Sequence, residues 1–255
     1  MVRRIIVASA FALAAWAIVP VSALAQVKVM TSGGFAAPLR EMLPEFEKST
    51  GIAVEVILGK SQGSGPDTIG SQLGRGVVAD VVIMSREGLN DLISENRIVA
   101  HSDIDLAKTP IGLAVRAGAP KPDISTVEAF KNTLLHAKSI TYPSSTTGIY
   151  MATKLFPQLG IASEVLSKSS NAGVTAVAKG DMEIAIQPVS ELLHVPGTDF
   201  VGTLPREVQY ISVFSAALVA VSGRSSDAKK LLTFLNSQNA KDAMRNSGME
   251  PLALQ

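Results

Sequence analysis

Short β-branched runs alternate with amphipathic helical patterns along this chain, and that alternation restricts the fold more than any other feature. Strands separated by helix-period segments predict an α/β architecture with largely parallel strands. Residues 27–30 predict a first strand that ends at Thr31-Ser32-Gly33-Gly34. Over residues 36–50, Leu39, Met42, Leu43 and Phe46 recur at helical spacing, and Gly51 closes the helix. Residues 52–58 predict a second strand, followed by the polar Gly59-Lys60-Ser61-Gln62-Gly63-Ser64-Gly65. A helix over 68–73 leads to a third strand over 79–84 and then Ser85. A similar series begins near Thr109, with strands over 111–115, 139–142 and 183–186 and helices over 149–159 and 174–179. Ser125 is placed to cap another helix, with Glu128 at capping-box spacing. A strand over 210–220 and helices over 227–237 and 239–246 finish the chain. No strict repeat is visible, but strand, polar loop and helix recur in that order.

The first 25 residues belong to a different class. Arg3 and Arg4 precede an apolar run over residues 5–19, and Ala23-Leu24-Ala25 supplies small residues where a signal peptidase reads. This composition predicts a secretory signal peptide cleaved after Ala25, and the run is shorter than the roughly 20 apolar residues a membrane span needs. With no cysteine at the junction, no lipid anchor is expected, and the mature chain is expected in the periplasm as a monomer. Lys and Arg number 23 and Asp and Glu 22, so loss of Arg3 and Arg4 leaves a charge of about −1. Such a balance gives no field for nucleic acid. The absence of cysteine excludes disulfides, thiolate metal sites and cysteine nucleophiles. Aromatics at 5% argue against a sugar site built from stacked rings.

The polar loops at strand ends carry the functional signal. In open α/β sheets, ligands bind beyond the carboxyl ends of the strands, where helix N-termini present free N–H groups and partial positive charge. Four such ends are rich in hydroxyls, amides or glycine: residues 31–34, 61–65, 144–148 and 187–190. Any one of them can be a simple helix cap; four together point to an anion pocket. The second loop lacks the Gly-Lys-Ser/Thr ending of a phosphate loop, which excludes nucleotide hydrolysis. His101, His136 and His194 have no metal-ligand spacing, so no metal site and no cofactor are expected. No Gly-x-Ser-x-Gly elbow occurs. Asp80, at the start of a buried strand, reads as a local structural acceptor rather than a catalytic carboxylate.

Phe46-Glu47-Lys48-Ser49-Thr50-Gly51-Ile52, Gly63-Ser64-Gly65, Ala79-Asp80-Val81, Gly148-Ile149-Tyr150 and the last two helices resemble the periplasmic molybdate-binding proteins of ABC transporters. The resemblance covers the whole mature chain. It implies a two-lobed periplasmic-binding-protein type II fold, each lobe a mainly parallel sheet flanked by helices, with the ligand cleft between lobes. Residues 26–107 with 212–255 would form lobe 1 and 108–211 lobe 2, with crossings near 106–111 and 208–212 that act as a hinge. The implied ligand-binding set is Ser32, Gly33, Lys60, Ser61 and Ser64 from one lobe and Ser145, Thr147, Tyr150, Gln187 and Ser190 from the other. The implied partners are a small anion, either an oxyanion or a polycarboxylate, and an ABC-transporter permease.

The chain also departs from the molybdate pattern. Thr31-Ser32-Gly33-Gly34 replaces Ala-Ser-Ser-Leu, Lys60 stands beside the second loop, and Gln187-Pro188-Val189-Ser190-Glu191 replaces a Tyr-containing segment. With Gly197, Gly202-Thr203-Leu204-Pro205 and Gln209, these features resemble a divergent branch that includes a cofactor-independent aconitate isomerase. Capture of an anion for uptake is the first functional expectation, and isomerisation by an allylic proton shift is the second. The shift needs a base, for which Tyr150, Lys60 and Glu191 are the candidates, with His101 added if the first crossing brings it near. Arg40, Arg75 and Arg86 would offset a polycarboxylate's charge if they face the cleft.

Overall fold

In a computed structural model, residues 26–221 and 225–253 are described; the expected signal peptide lies outside them. The first lobe begins β1 (Gln26–Ser32), α1 (Gly33–Thr50), β2 (Ala53–Gly59), α2 (Ile69–Gly74), β3 (Val81–Ser85) and α3 (Arg86–Ser94). The long β4 (Ile104–Arg116) then leaves it. The second lobe holds α4 (Val127–His136), β5 (Ile140–Thr141), α5 (Thr146–Tyr150), α6 (Phe156–Gln158), α7 (Ala162–Ser167), β6 (Ser169–Ser170), α8 (Val174–Lys179), β7 (Ile184–Pro188), α9 (Val189–Leu192) and β8 (Thr198–Thr203). The chain returns through β9 (Ile211–Leu218) and ends with α10 (Ser225–Leu235), α11 (Gln238–Asn246) and β10 (Glu250–Pro251).

The strands follow the order β2-β1-β3-β9-β4-β7-β5-β6, with β8 and β10 also on β4. Each lobe has three parallel strands, β2-β1-β3 and β6-β5-β7. Antiparallel pairing comes from the strands that join the lobes. β9 lies between β3 and β4, and β4 pairs with β9 through Pro110 and with β7 from Ile111 onward. One strand therefore serves both sheets. Burial on both faces explains the apolar runs. In β3, Val81 and Ile83 face a cluster with Phe35, Leu39 and Phe46, whereas Val82 and Met84 face Ile69 and Leu89. In β7, Ile184 and Ile186 enter the second lobe's core with Phe130 and Phe156.

Several local expectations shift. Thr126, not Ser125, caps α4, because its side chain accepts the Ala129 N–H at 3.1 Å. The helix expected over 149–159 starts at Thr146 and passes through a π-helical turn, Met151–Leu155. Its early start requires a glycine: a Cβ on Gly148 would lie 1.6 Å from the Pro143 carbonyl oxygen. Asp80 is buried and accepts the Lys28 N–H at 2.8 Å, which fits its structural reading.

Candidate functional site

All six parallel strands direct their carboxyl ends at one cavity of about 200 Å³ between the lobes. Ser32 and Gly33 arrive from β1, Lys60 and Ser61 from β2, and Ser85 from β3. Across the cleft, Ser144 to Thr147 follow β5, Asn171 and Gly173 follow β6, and Gln187 and Pro188 end β7, with Glu191 just beyond it. Ser212 and Phe214 of β9 line it as well. A strand-to-helix crossover ends each parallel strand on the same side of its sheet. Two such sheets facing each other concentrate polar loops in one place.

The lobes touch across this cavity. The Gln62 backbone N–H donates to Ser145 Oγ at 3.3 Å, and Thr146 Oγ1 donates to Gln62 Oε1 at 3.0 Å. Ser85 and Thr146 share a hydroxyl hydrogen bond of 2.8 Å. Ser61 Oγ accepts the Ser85 N–H at 2.9 Å, which fixes the second loop against the third strand. Thr147 and Ser212 hydroxyls lie 3.3 Å apart. The N-terminus of the 18-residue α1 points its first turn into the cavity. Gly34 lets it approach, since a Cβ there would meet Phe214 Cζ at 2.3 Å. Ser32 stands at the N-cap but makes no cap bond, and its Oγ is buried without a partner. A buried hydroxyl left unpaired is costly, so its presence in a cavity wall marks a position for a polar ligand atom.

Two charged groups line the cavity. Lys60 Nζ pairs with Asp67 at 2.9 Å, an ion pair open to solvent on both sides. Glu191 comes from the other lobe, in the single turn of α9. Its carboxylate lies against the backbone of Gly33, where a Cβ would sit 3.3 Å from Oε2. Among the described residues no hydrogen bond or ion pair reaches it, and burial pushes its pKa up from 4.5 to about 7. A donor-rich pocket thus contains one carboxylate whose pKa lies well above the usual carboxylate range.

Of the residues expected at the site, Ser32, Gly33, Lys60, Ser61, Ser145, Thr147, Gln187 and Glu191 line the cavity. Ser64, Tyr150 and Ser190 do not. The backbone bonds Lys60 N–H to Asp67 O (3.0 Å) and Ile69 N–H to Lys60 O (2.9 Å) close the second loop at its base, so Ser64 projects into solvent. Tyr150 Oη donates to the Val208 carbonyl at 3.3 Å, and its ring stacks on Tyr210 with centroids 4.8 Å apart. Burial raises its pKa, which leaves still less of it as phenolate at neutral pH. Ser190 is buried in the wall of a separate groove, with its Oγ unpartnered. None of the three arginines lines the cavity. Arg86 is held by Asp103 at 2.7 Å and by Asp105, Arg75 donates to the Pro66 carbonyl at 2.6 Å, and Arg40 lies along that same groove. His101 is exposed ahead of β4 and is absent from the lining.

Sequence reasoning missed Ser85, Asn171 and Ser212. Ser85 follows a strand and caps α3 by accepting the Gly88 N–H at 3.3 Å, a signal comparable to those used for the other loops. Asn171 follows a two-residue strand, too short to leave a pattern.

Comparison with known proteins agrees with this fold. Residues 27–250 match the model of the bacterial extracellular solute-binding protein family. An aconitate isomerase from Pseudomonas sp is 36% identical over 231 residues, which span 89% of this chain and 88% of that protein. The periplasmic molybdate-binding protein of Azotobacter vinelandii superposes with a TM-score of 0.71 at 16% identity, over 90% of this chain and 100% of that one. The sulfate-binding protein SubI of Mycobacterium tuberculosis H37Rv gives 0.66 at 16% identity, over 89% and 87%. These two structures share the two-lobed fold. This chain belongs to the bacterial extracellular solute-binding protein family.

Proposed function

We propose that this protein is a cofactor-independent isomerase that interconverts trans- and cis-aconitate within the interlobe cleft. The observation that carries the reading is the Glu191 carboxylate, unpaired and with its pKa raised to about 7 in a cavity otherwise lined by donors. For a protein that only holds an anion, a carboxylate there is a liability. For one that moves a proton it is the required group, because a general base works best with a pKa near the operating pH. The aconitate isomerase relative supports the same reading.

In the proposed reaction Glu191 removes a proton from the methylene carbon of trans-aconitate. The electron pair moves into the conjugated carboxylate system, forming a delocalised carbanion. Return of one proton to the far carbon moves the double bond to the former methylene carbon, and the conformation held about that bond during the transfer makes the product cis, with one proton lost and one gained. Lys60, the Ser32 hydroxyl and the start of α1 hold the substrate carboxylates and stabilise the spreading negative charge. Tyr150 takes no part. Lobe 1 (26–107 with 212–255) and lobe 2 (108–211) close by a hinge at β4 and at the chain leading into β9. A periplasmic location goes with this reading, since the family is extracellular and the first 25 residues have the composition of a signal peptide.

A second reading is capture of a small anion for an ABC transporter by a monomeric receptor. The neutral donors Ser32, Ser61, Ser145 and Thr147 and the fold shared with oxyanion-binding proteins favour it. Proton NMR of purified protein with trans-aconitate in heavy water separates the two. The isomerase produces the cis form with exchange of the methylene signal. A static spectrum, alongside thermal stabilisation by the same ligand, leaves only the receptor.

A further inference from the structure

Behind the cleft lies a groove of about 940 Å³, bounded by α1, the residues after α9 and the end of α11. It shares just two lining residues with the cavity, Gly33 and Glu191. Glu191 and Gly33, a residue without a side chain, therefore face both the cleft and the groove. Ala36 and Ala37 continue the groove along α1, which Arg40, Glu41 and His194 line as well. The lobes, by contrast, touch through Gln62, Ser85, Ser145 and Thr146 on the cleft side.

We infer that this groove is a proton port: it gives solvent access to Glu191 while substrate fills the cleft. The inference rests on the isomerase reading. A base enclosed with its substrate can only return the proton it has taken. A base with a second exposed side exchanges that proton with water during the lifetime of the carbanion. Transfer then balances as one proton released from the substrate methylene to solvent through Glu191 and one taken from solvent to the far carbon.

Ala37 is exposed and outside the cleft, so Ala37→Trp plugs the groove without touching the substrate side, and Ala37→Leu is a milder plug if tryptophan perturbs folding. The experiment follows single-turnover isomerisation of trans-aconitate in heavy water by NMR. In parallel, a water-soluble carbodiimide with a small amine labels Glu191, with and without saturating trans-aconitate, and the yield is read by peptide mass spectrometry. The wild-type product should carry mainly solvent deuterium at its new position. The plugged variants should retain substrate hydrogen several-fold more often and label Glu191 several-fold more slowly with ligand present. Unchanged retention and unchanged labelling in both variants would overturn the port. If no form of the protein isomerises aconitate, the functional reading falls instead. Labelling then decides the port alone: slower in the plugged variants upholds it, equal rates overturn it.

Discussion

Lys60 and Glu191 face one cavity from opposite lobes, yet their surroundings differ in kind. The loop after β2 gives Lys60 a partner, Asp67, and leaves the pair in contact with water. The turn after β7 places Glu191 half-buried against Gly33 with no partner, and the protein packed around it moves its pKa up to about 7. An exposed ion pair is worth under about 1 kcal/mol, so Lys60 is easily released to a ligand anion. An unpaired, half-buried carboxylate costs free energy whenever it is ionised. The contrast separates a binding charge from a reacting one.

The largest effect that tests this contrast is on turnover. Glu191→Gln should lower the rate of aconitate isomerisation by about 10²–10⁴-fold, the range for loss of a general base. Calorimetry should show trans-aconitate binding retained or tightened, because a negative charge has left an anion pocket. Weaker binding with turnover intact would reverse the two roles.

Next comes stability against pH. The folded-state pKa of Glu191 is raised, so between pH 4.5 and about 7 the native state holds more protons than the unfolded chain. Stability contributed by this residue is therefore greatest in acid and falls as pH rises through that window. Glu191→Gln should unfold at higher denaturant than wild type at pH 8, by up to about 3 kcal/mol, and match it near pH 4. A difference that does not vary with pH would show that the carboxylate is not shielded. Activity should have an acidic limb near pH 7 in the profile of kcat/KM.

A smaller effect is expected on the other side. Lys60→Met should raise the Kd for trans-aconitate by roughly tenfold, about 1.4 kcal/mol, with little change in unfolding free energy. Asp67→Asn, which frees the lysine, should tighten it a few-fold. The smallest change is Ser32→Ala. Its Oγ has no partner, so stability should stay within about 0.5 kcal/mol, while Kd rises roughly fivefold if the hydroxyl meets the ligand. An unchanged Kd would show that the buried hydroxyl serves neither charge.

Much of this contrast is legible in the residue order. The β-branched runs with polar loops marked four of the six strand ends that meet at the cavity, because burial on both faces writes a dense signal into each parallel strand. Lys60 and Glu191 were both named as candidates for the base, but nothing in the residue order separated them. Asp67 is seven residues beyond Lys60, and the solvation of Glu191 depends on Gly33, far away in sequence. Tyr150 and Ser64 looked suitable by proximity along the chain. Sequence distance does not reveal that one hydroxyl turns to Val208 and the other to water. The pattern of the long β4 shows only from 111, because its first half, Ile-Asp-Leu-Ala-Lys-Thr-Pro, mixes charge and proline into an edge that β9 and β10 cover.

The position of β9 has an implication for how the molecule is assembled. A chain emerging from its N-terminus completes β3, β4 and every strand of the second lobe before β9 arrives, yet β9 must sit between β3 and β4. Until then both neighbours expose unpaired backbone, and the helices that cover Phe46 and Leu39 have not been delivered. The second lobe closes on its own early contacts, whereas the first waits for contacts with more than 100 residues of intervening chain, as between Asp105 and Ser215. Long-range pairing of this kind is slow. A polypeptide whose central strand comes late remains open for most of its synthesis.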